Sequence, residues 1–247
     1  MEAAYQQMAG RLMIALDVPD AEQARQLMRQ LEGMPCYMKV GMQLFYSAGP
    51  DLITEMKAMG YSVFLDLKMH DIPNTVRGGA GSITRLGVDM FNVHAAGGVK
   101  MMKAAREGAA EAAEAAGISV PTMIAVTQLT STDQATMNNE IGIAGTVEEA
   151  VIRYAGLTKQ AGLDGVVASP LEVAAIQAAC GTEFITVTPG IRPQGSEQGD
   201  QSRVTTPGQA IRGGSSYIVV GRPITAAPRP REAAEHIIRE MMNHDSI

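Results

Sequence analysis

The sequence lacks the features that mark several functional classes. No run approaches the roughly 20 apolar residues of a membrane span, and the N-terminal MEAAYQQMAGR contains no apolar stretch of signal-peptide length, so a soluble, cytoplasmic protein with no membrane partner is expected. Only two cysteines occur, Cys36 and Cys180, far apart and without CxxC spacing or a nearby His cluster. That argues against a zinc site or a disulfide framework and for buried thiols in a reducing compartment. No GxGxxG follows the first apolar segment, which removes the usual fingerprint of a dinucleotide site. Positive charge is short as well: 20 Lys+Arg against 26 Asp+Glu give a formal net charge of -6. A broad attraction to nucleic acid or anionic lipid is therefore not expected, although a local basic pocket could still hold one phosphate.

What is abundant points to a folded chain built on a repeating plan. Of 247 residues, 46% are hydrophobic and 19% charged, a balance far from that of disordered chains and sufficient for a large core. The 17 methionines suit the same role as adaptable core filling. Eight short apolar segments, RLMIALDV, CYMKVG, YSVFLDLK, DMFNVHAA, PTMIAVTQL, DGVVAS, EFITVTPG and SYIVVGRPI, read as strands. They alternate with helical patterns such as DAEQARQLMRQLEGM, GVKMMKAAREGAAEAAEAAG and TVEEAVIRYAGLTKQAG. Continuous apolar character, rather than strict alternation, marks strands covered on both faces, as in a parallel sheet. Eight strand-helix units predict an α/β fold, a (β/α)8 TIM barrel forming a single catalytic domain over residues 1–247. An open doubly wound sheet of six or seven units is the competing architecture. Two segments exceed the usual loop length: TSTDQATMNNEIGIAG after the fifth strand, and IRPQGSEQGDQSRVTT, with Arg192 and Arg203, after the seventh. In a barrel both belong to the C-terminal face, where active sites are built and a long loop can close as a lid.

One apolar segment ends in charge. FLDLKMHDIPNT, residues 64–75, places Asp66, Lys68 and Asp71 within six residues, then turns through Pro73 into a helix that Thr75 can cap. Two residues apart on a strand, Asp66 and Lys68 are expected to project from one face, toward the barrel interior near its mouth. An ion pair filling a barrel layer is the structural explanation. Burying such a pair is rarely stabilising by itself, and three charges at an open mouth fit a site better.

Other strand ends supply candidates. Asp17 lies in LDVPD, beside a helix start near Asp20 that it could equally cap, and Lys39 is an ammonium within the apolar YMKVG. Thr130, in TQLTS, suits a turn as well as a ligand contact. TPGIRP and VVGRPIT follow the seventh and eighth strands. There Gly190 and Gly221 permit close backbone approach, while Arg192 and Arg222 offer forked donors where such barrels commonly bind phosphate.

With ALDV and KVG before DLKMHDIPNT, and TQLTS, PGIRP, GDQ and VGRPIT after it, the chain closely resembles the orotidine 5′-phosphate decarboxylase family from the first strand to the eighth. The D-x-K-x-x-D core alone is shared with a wider superfamily of decarboxylases and aldol-type lyases acting on phosphorylated sugars; the phosphate-end and pyrimidine-end motifs narrow the choice. The resemblance implies conversion of orotidine 5′-phosphate to UMP and CO2, the final step of de novo pyrimidine biosynthesis. It implies no cofactor and no metal, and a homodimer with active sites at the interface. By the same resemblance, Asp66 and Lys68 serve in one subunit, with Lys68 protonating C6, while Asp71 and Thr75 reach into the site of the other. Asp17 and Lys39 would hold the ribose hydroxyls, Thr130 would mark the pyrimidine end, and Arg192, Gln201, Gly221 and Arg222 would hold the phosphate.

Rival readings differ at named residues. Related metal-dependent decarboxylases use an acidic residue on the second strand to help bind Mg2+, where this chain carries Lys39. A Schiff-base role for Lys68 calls for a free amine, which flanking carboxylates do not suit. A non-catalytic nucleotide-binding protein on the same scaffold would not require the complete set of charged groups at the mouth. His70 and His94 lack metal-ligand partners at suitable spacing and are expected to be hydrogen-bonded structural residues.

Overall fold

All eight apolar segments become parallel strands in the computed structural model, which describes residues 2–193 and 205–243. The strands are β1 (Leu12–Ala15), β2 (Tyr37–Gly41), β3 (Ser62–Met69), β4 (Met90–His94), β5 (Thr122–Val126), β6 (Gly165–Val167), β7 (Ile185–Thr188) and β8 (Tyr217–Val220). They pair in sequence order and close where Leu12, Met13 and Ile14 of β1 lie opposite Ile218, Val219 and Val220 of β8. The open-sheet alternative is thereby excluded. The helices are α1 (Glu2–Ala9), α2 (Ala21–Gln30), α3 (Met42–Ala48), α4 (Pro50–Ala58), α5 (Pro73–Arg85), α6 (Gly98–Ala116), α7 (Val147–Gln160), α8 (Val173–Cys180), α9 (Pro207–Arg212), α10 (Arg222–Thr225) and α11 (Pro230–Met242). None is long and apolar enough to cross a membrane.

Because side chains alternate along a strand, the apolar residues separate into two layers. Ile14, Met38, Val40, Val63, Leu65 and Phe91 belong to the layer beneath the helices. Met13, Phe64, Met90, Ile124 and Val187 fill the barrel interior. At the N-terminal end of the strands Tyr37 and Tyr217 meet edge to face, ring centroids 5.6 Å apart. The interior is packed, so a ligand is confined to the C-terminal mouth. Cys36 and Cys180 are buried free thiols, and burial pushes Cys36 up to about 12.

Local signals account for most helix ends. Asp20 caps α2 by accepting from Gln23 N at 2.9 Å, and Thr146 with Glu149 forms a reciprocal capping box on α7. The expected cap at Thr75 is not formed. Pro73 occupies the first turn of α5 and moves its N-cap to Ile72, which has no side-chain acceptor. The long segment after β5 is also more ordered than a loop: residues Thr136–Glu140 form a π-helical turn over buried Met137, with Gln134 and Asn138 both donating to Gly145 O, at 2.6 and 3.0 Å.

α5 and α6 approach closely through glycine. A Cβ at Gly108 would run into the Arg77 carbonyl oxygen, and one at Gly81 would lie 3.2 Å from Gly108 O. These neighbours are backbone and cannot swing aside, so Gly108→Ala is expected to destabilise the fold by about 1–3 kcal/mol. Gly78, on α5 and with open space at its Cβ, is the control, because alanine there should be neutral or stabilising. Urea denaturation of both variants checks this; equal midpoints would show that the helices separate without cost.

Candidate active site

At the barrel mouth the inward positions change from apolar to charged. Lys39, only 8% exposed, lies one strand from Asp66, and its Nζ is 3.2 Å from Asp17 Oδ1 and 3.5 Å from Asp66 Oδ2. The other oxygen of Asp66, Oδ1, accepts from Lys68 Nζ at 2.7 Å. Asp17, Lys39, Asp66 and Lys68 thus form a row of alternating sign, with Asp17 at its exposed end. Burial pushes the Asp66 carboxyl up, but Lys39, Lys68 and the hydrogen bonds from Lys68 and Asn92 outweigh it and hold the group below its ordinary carboxylate value.

Simple alternation does not bring Lys68 to this place. Between Leu65 and Met69 the register of β3 shifts against β4: four residue steps on one strand oppose the two from Phe91 to Val93 on the other. Within this bulge Lys68 adopts φ 53, the single positive value among the described non-glycine residues. Its backbone N–H donates to Asn92 Oδ1 at 2.8 Å, and Asn92 Nδ2 donates to Asp66 Oδ1 at 2.7 Å. Asn92 was not expected from sequence. The available signal was an amide at an inward position of the otherwise apolar MFNV, one strand from Asp66.

The row forms part of the wall of a cavity of about 470 Å³, within the usual range for small-molecule sites. Thr130 lies on its β5 side, with Gln128 and Ser131, neither anticipated from sequence. Gly190, Arg192, Gly221 and Arg222 line it after β7 and β8, with Gly221 beside Asp17 because β8 adjoins β1. Arg192 is 8% exposed; burial, and then the nearby Arg222, lower its pKa. Its backbone N–H donates to Thr205 O at 3.1 Å, and Ile191 bridges to Thr205, so the two flanks of the intervening segment are joined. Gln201 and Arg203 lie outside the described residues.

Asp71 and Thr75 do not line this cavity. Both are exposed, and Asp71 Oδ1 accepts from Ile72 N at 2.6 Å, beside an Ile72 side chain 66% exposed. His70 and His94 sit with ring centroids 5.6 Å apart; desolvation, His70 and Lys68 lower the His94 pKa against a smaller opposing effect of Asp66. No group of three His, Cys, Asp or Glu side chains among the described residues is arranged to hold a metal ion.

Known proteins share this chain's sequence and fold. The model of the orotidine 5′-phosphate decarboxylase / HUMPS family matches residues 10–237. An orotidine 5′-phosphate decarboxylase of Moorella thermoacetica is 52% identical over 231 residues, covering 94% of this chain and 92% of that protein. One from Bacillus cereus is 55% identical over 226 residues, covering 92% and 94% respectively. The crystal structure of the Lactobacillus acidophilus orotidine 5′-phosphate decarboxylase superposes with a TM-score of 0.84 at 43% identity, covering 95% of this chain and 99% of that one.

The electrostatics of Asp66 yield a sign. A carboxyl held low in the folded state contributes stability above its unfolded value, about 3.9, and loses it as pH falls through the folded value. The stability of the wild type relative to Asp66→Asn should therefore decline below about pH 4, on urea titrations from about pH 5 to pH 2. A pH-independent difference would contradict the paired geometry.

Proposed function

The chain belongs to the orotidine 5′-phosphate decarboxylase / HUMPS family, and we propose that it decarboxylates orotidine 5′-phosphate to UMP and CO2, the final step of de novo pyrimidine synthesis. The observation that carries this reading is the row Asp17–Lys39–Asp66–Lys68 in the wall of a cavity that Arg192 and Arg222 also line. The row offers a fixed ammonium for a reacting carbon, the arginines forked cationic donors for a phosphate.

In the proposed reaction the bond from C6 to the carboxylate breaks, CO2 departs, and the electron pair stays on C6 in the ring plane, where no conjugated sink can accept it. The Lys68 ammonium stabilises that charge and transfers a proton from Nζ to C6; water then reprotonates the amine. A unit charge pair at about 4 Å with an effective dielectric near 20 contributes about 4 kcal/mol, well short of the roughly 20 kcal/mol that large enzymatic accelerations represent. Preorganised charge and phosphate binding remote from C6 must supply the remainder. In this reading Arg192, Gln201, Gly221 and Arg222 hold the phosphate, Thr130 contacts the pyrimidine, and Asp17 and Lys39 bind ribose hydroxyls. Lys39 also bears on the Mg2+-dependent alternative, since its ammonium occupies the space between Asp17 and Asp66 that a cation would take.

The proposed assembly is a homodimer of single-barrel subunits in which Asp71 and Thr75 complete the partner's site. Support comes from their exposure beside Ile72 and their position outside their own chain's cavity. Buried free Cys36 and Cys180 suit a reducing cytoplasm.

Conversion of orotidine 5′-phosphate by the purified protein, followed spectrophotometrically with excess EDTA, tests the activity: undiminished turnover is expected, and its loss would favour the metal-dependent alternative. Lys68→Ala should abolish turnover while leaving UMP binding by calorimetry largely intact; activity within about tenfold of wild type, or 1.4 kcal/mol, would remove Lys68 from the chemistry. Arg222→Ala should raise KM and lower kcat together, because phosphate binding and closure of the site are coupled in this reading. An unchanged KM would put the phosphate elsewhere.

A further inference from the structure

We propose that Asn92 is a positioning residue for the reaction, one whose carboxamide fixes both ends of Lys68 and so aims its ammonium into the cavity. The proposal rests on the decarboxylase reading above. Asn92 is 1% exposed and lies behind the charged row without lining the cavity, so it acts through Lys68 and Asp66 rather than on substrate.

The geometry forms a closed circuit. The Lys68 N–H meets Asn92 Oδ1 at 2.8 Å, Asn92 Nδ2 meets Asp66 Oδ1 at 2.7 Å, and that same oxygen receives Lys68 Nζ at 2.7 Å. The orientation of the carboxamide is unambiguous, because a backbone N–H can only donate and an ionised carboxylate can only accept. A left-handed conformation is unfavourable for lysine because Cβ crowds the following carbonyl oxygen, and it persists only where surrounding contacts over-determine it. At Lys68 the register with β4 is broken, and the Asn92 side chain takes the N–H that the shifted ladder leaves. The amide therefore selects the backbone turn and, through Asp66, the end point of the side chain.

Aspartate is nearly isosteric with asparagine and discriminates positioning from simple packing. In Asn92→Asp, the ionised carboxyl still accepts from Lys68 N but cannot donate, and it adds a negative charge against Asp66. Once protonated, it donates to Asp66 and restores the circuit. The charged and titratable groups around this position are Asp66 and Lys68 on β3, Lys39 on β2, His94 on β4 and His70 just past β3.

The test measures kcat and KM for orotidine 5′-phosphate from about pH 5 to pH 8.5 in wild type, Asn92→Ala and Asn92→Asp, with melting curves for each. Asn92→Ala is expected to lose about a hundredfold in kcat, the usual consequence of misplacing a reacting group by about 1 Å, with KM changed less than about threefold. Asn92→Asp is expected to gain kcat as pH falls, relative to wild type at the same pH, as the introduced carboxyl takes up a proton. An alanine variant within about threefold of wild type in kcat, or an aspartate variant whose kcat relative to wild type is flat with pH, overturns the proposal. Should the alanine variant not fold, the aspartate profile decides alone. Amide hydrogen exchange at Lys68 gives a readout independent of turnover: the N–H should be protected in wild type and lose that protection in either variant that folds. If the wild type releases no CO2, the decarboxylase reading fails, while this exchange result still supports or overturns the role of Asn92 in fixing Lys68.

Discussion

Asp66 is the constraint on which the rest of the mouth depends. One carboxylate, largely withdrawn from water, receives Lys68 on one oxygen at 2.7 Å and faces Lys39 across 3.5 Å on the other. Removing an ionised group from water costs several kcal/mol unless opposite charges and hydrogen bonds replace the lost solvation. With two ammoniums and the Asn92 amide in place, the pairing outweighs burial and Asp66 remains an anion. Each lysine in turn depends on the shared carboxylate, so deleting any member leaves an uncompensated charge in a partly dry site. Such a row is a costly way to fill a barrel layer and an effective way to hold an ammonium still.

The barrel tolerates this because its stability lies elsewhere. The apolar residues beneath the helices and the packed interior below Asp66 lie in a barrel closed from β1 to β8. Among the described residues, the left-handed non-glycine conformation falls in the last residues of β3, where two additional residues and a broken register also occur. Backbone strain at a functional position is retained when the surroundings leave no lower alternative. Here the neighbouring strand supplies that enforcement through a side chain rather than through its backbone ladder.

Fold and site were legible to different depths. The eight strands could be counted because strands covered on both faces are apolar throughout and are separated by helices of clear periodicity. Lys39 stood out as a charge in such a run, and Asp66 and Lys68 as charges at the end of one. Their convergence could be anticipated but not its means: alternation gives a shared face, whereas the structure reaches it through a bulge that no local residue signals. Asn92 was missed for a related reason, since its role exists only across a strand pair whose register is set by tertiary packing. The cap expected at Thr75 gave way to a nearby preference, because Pro73 is favoured in the first turn and fixes where α5 begins.

Charge balance at the mouth runs opposite to that of the whole chain. The formal net charge is -6, yet the described residues around the cavity contribute Lys39, Lys68, Arg192 and Arg222 against Asp17 and Asp66. With a Debye length of about 8 Å at physiological ionic strength, distant surface carboxylates are screened from an anion already in the mouth, while the nearby cations are not. The surplus is also divided in space. Two cations lie in the carboxylate row on β2 and β3, and the two arginines follow β7 and β8. An anionic ligand engaging the arginines is drawn in by groups that do not compete with Asp66 for the lysines. Attraction at one end of the cavity can therefore hold a molecule whose other end meets a charge pattern already satisfied within the protein, which separates binding from the group poised to react.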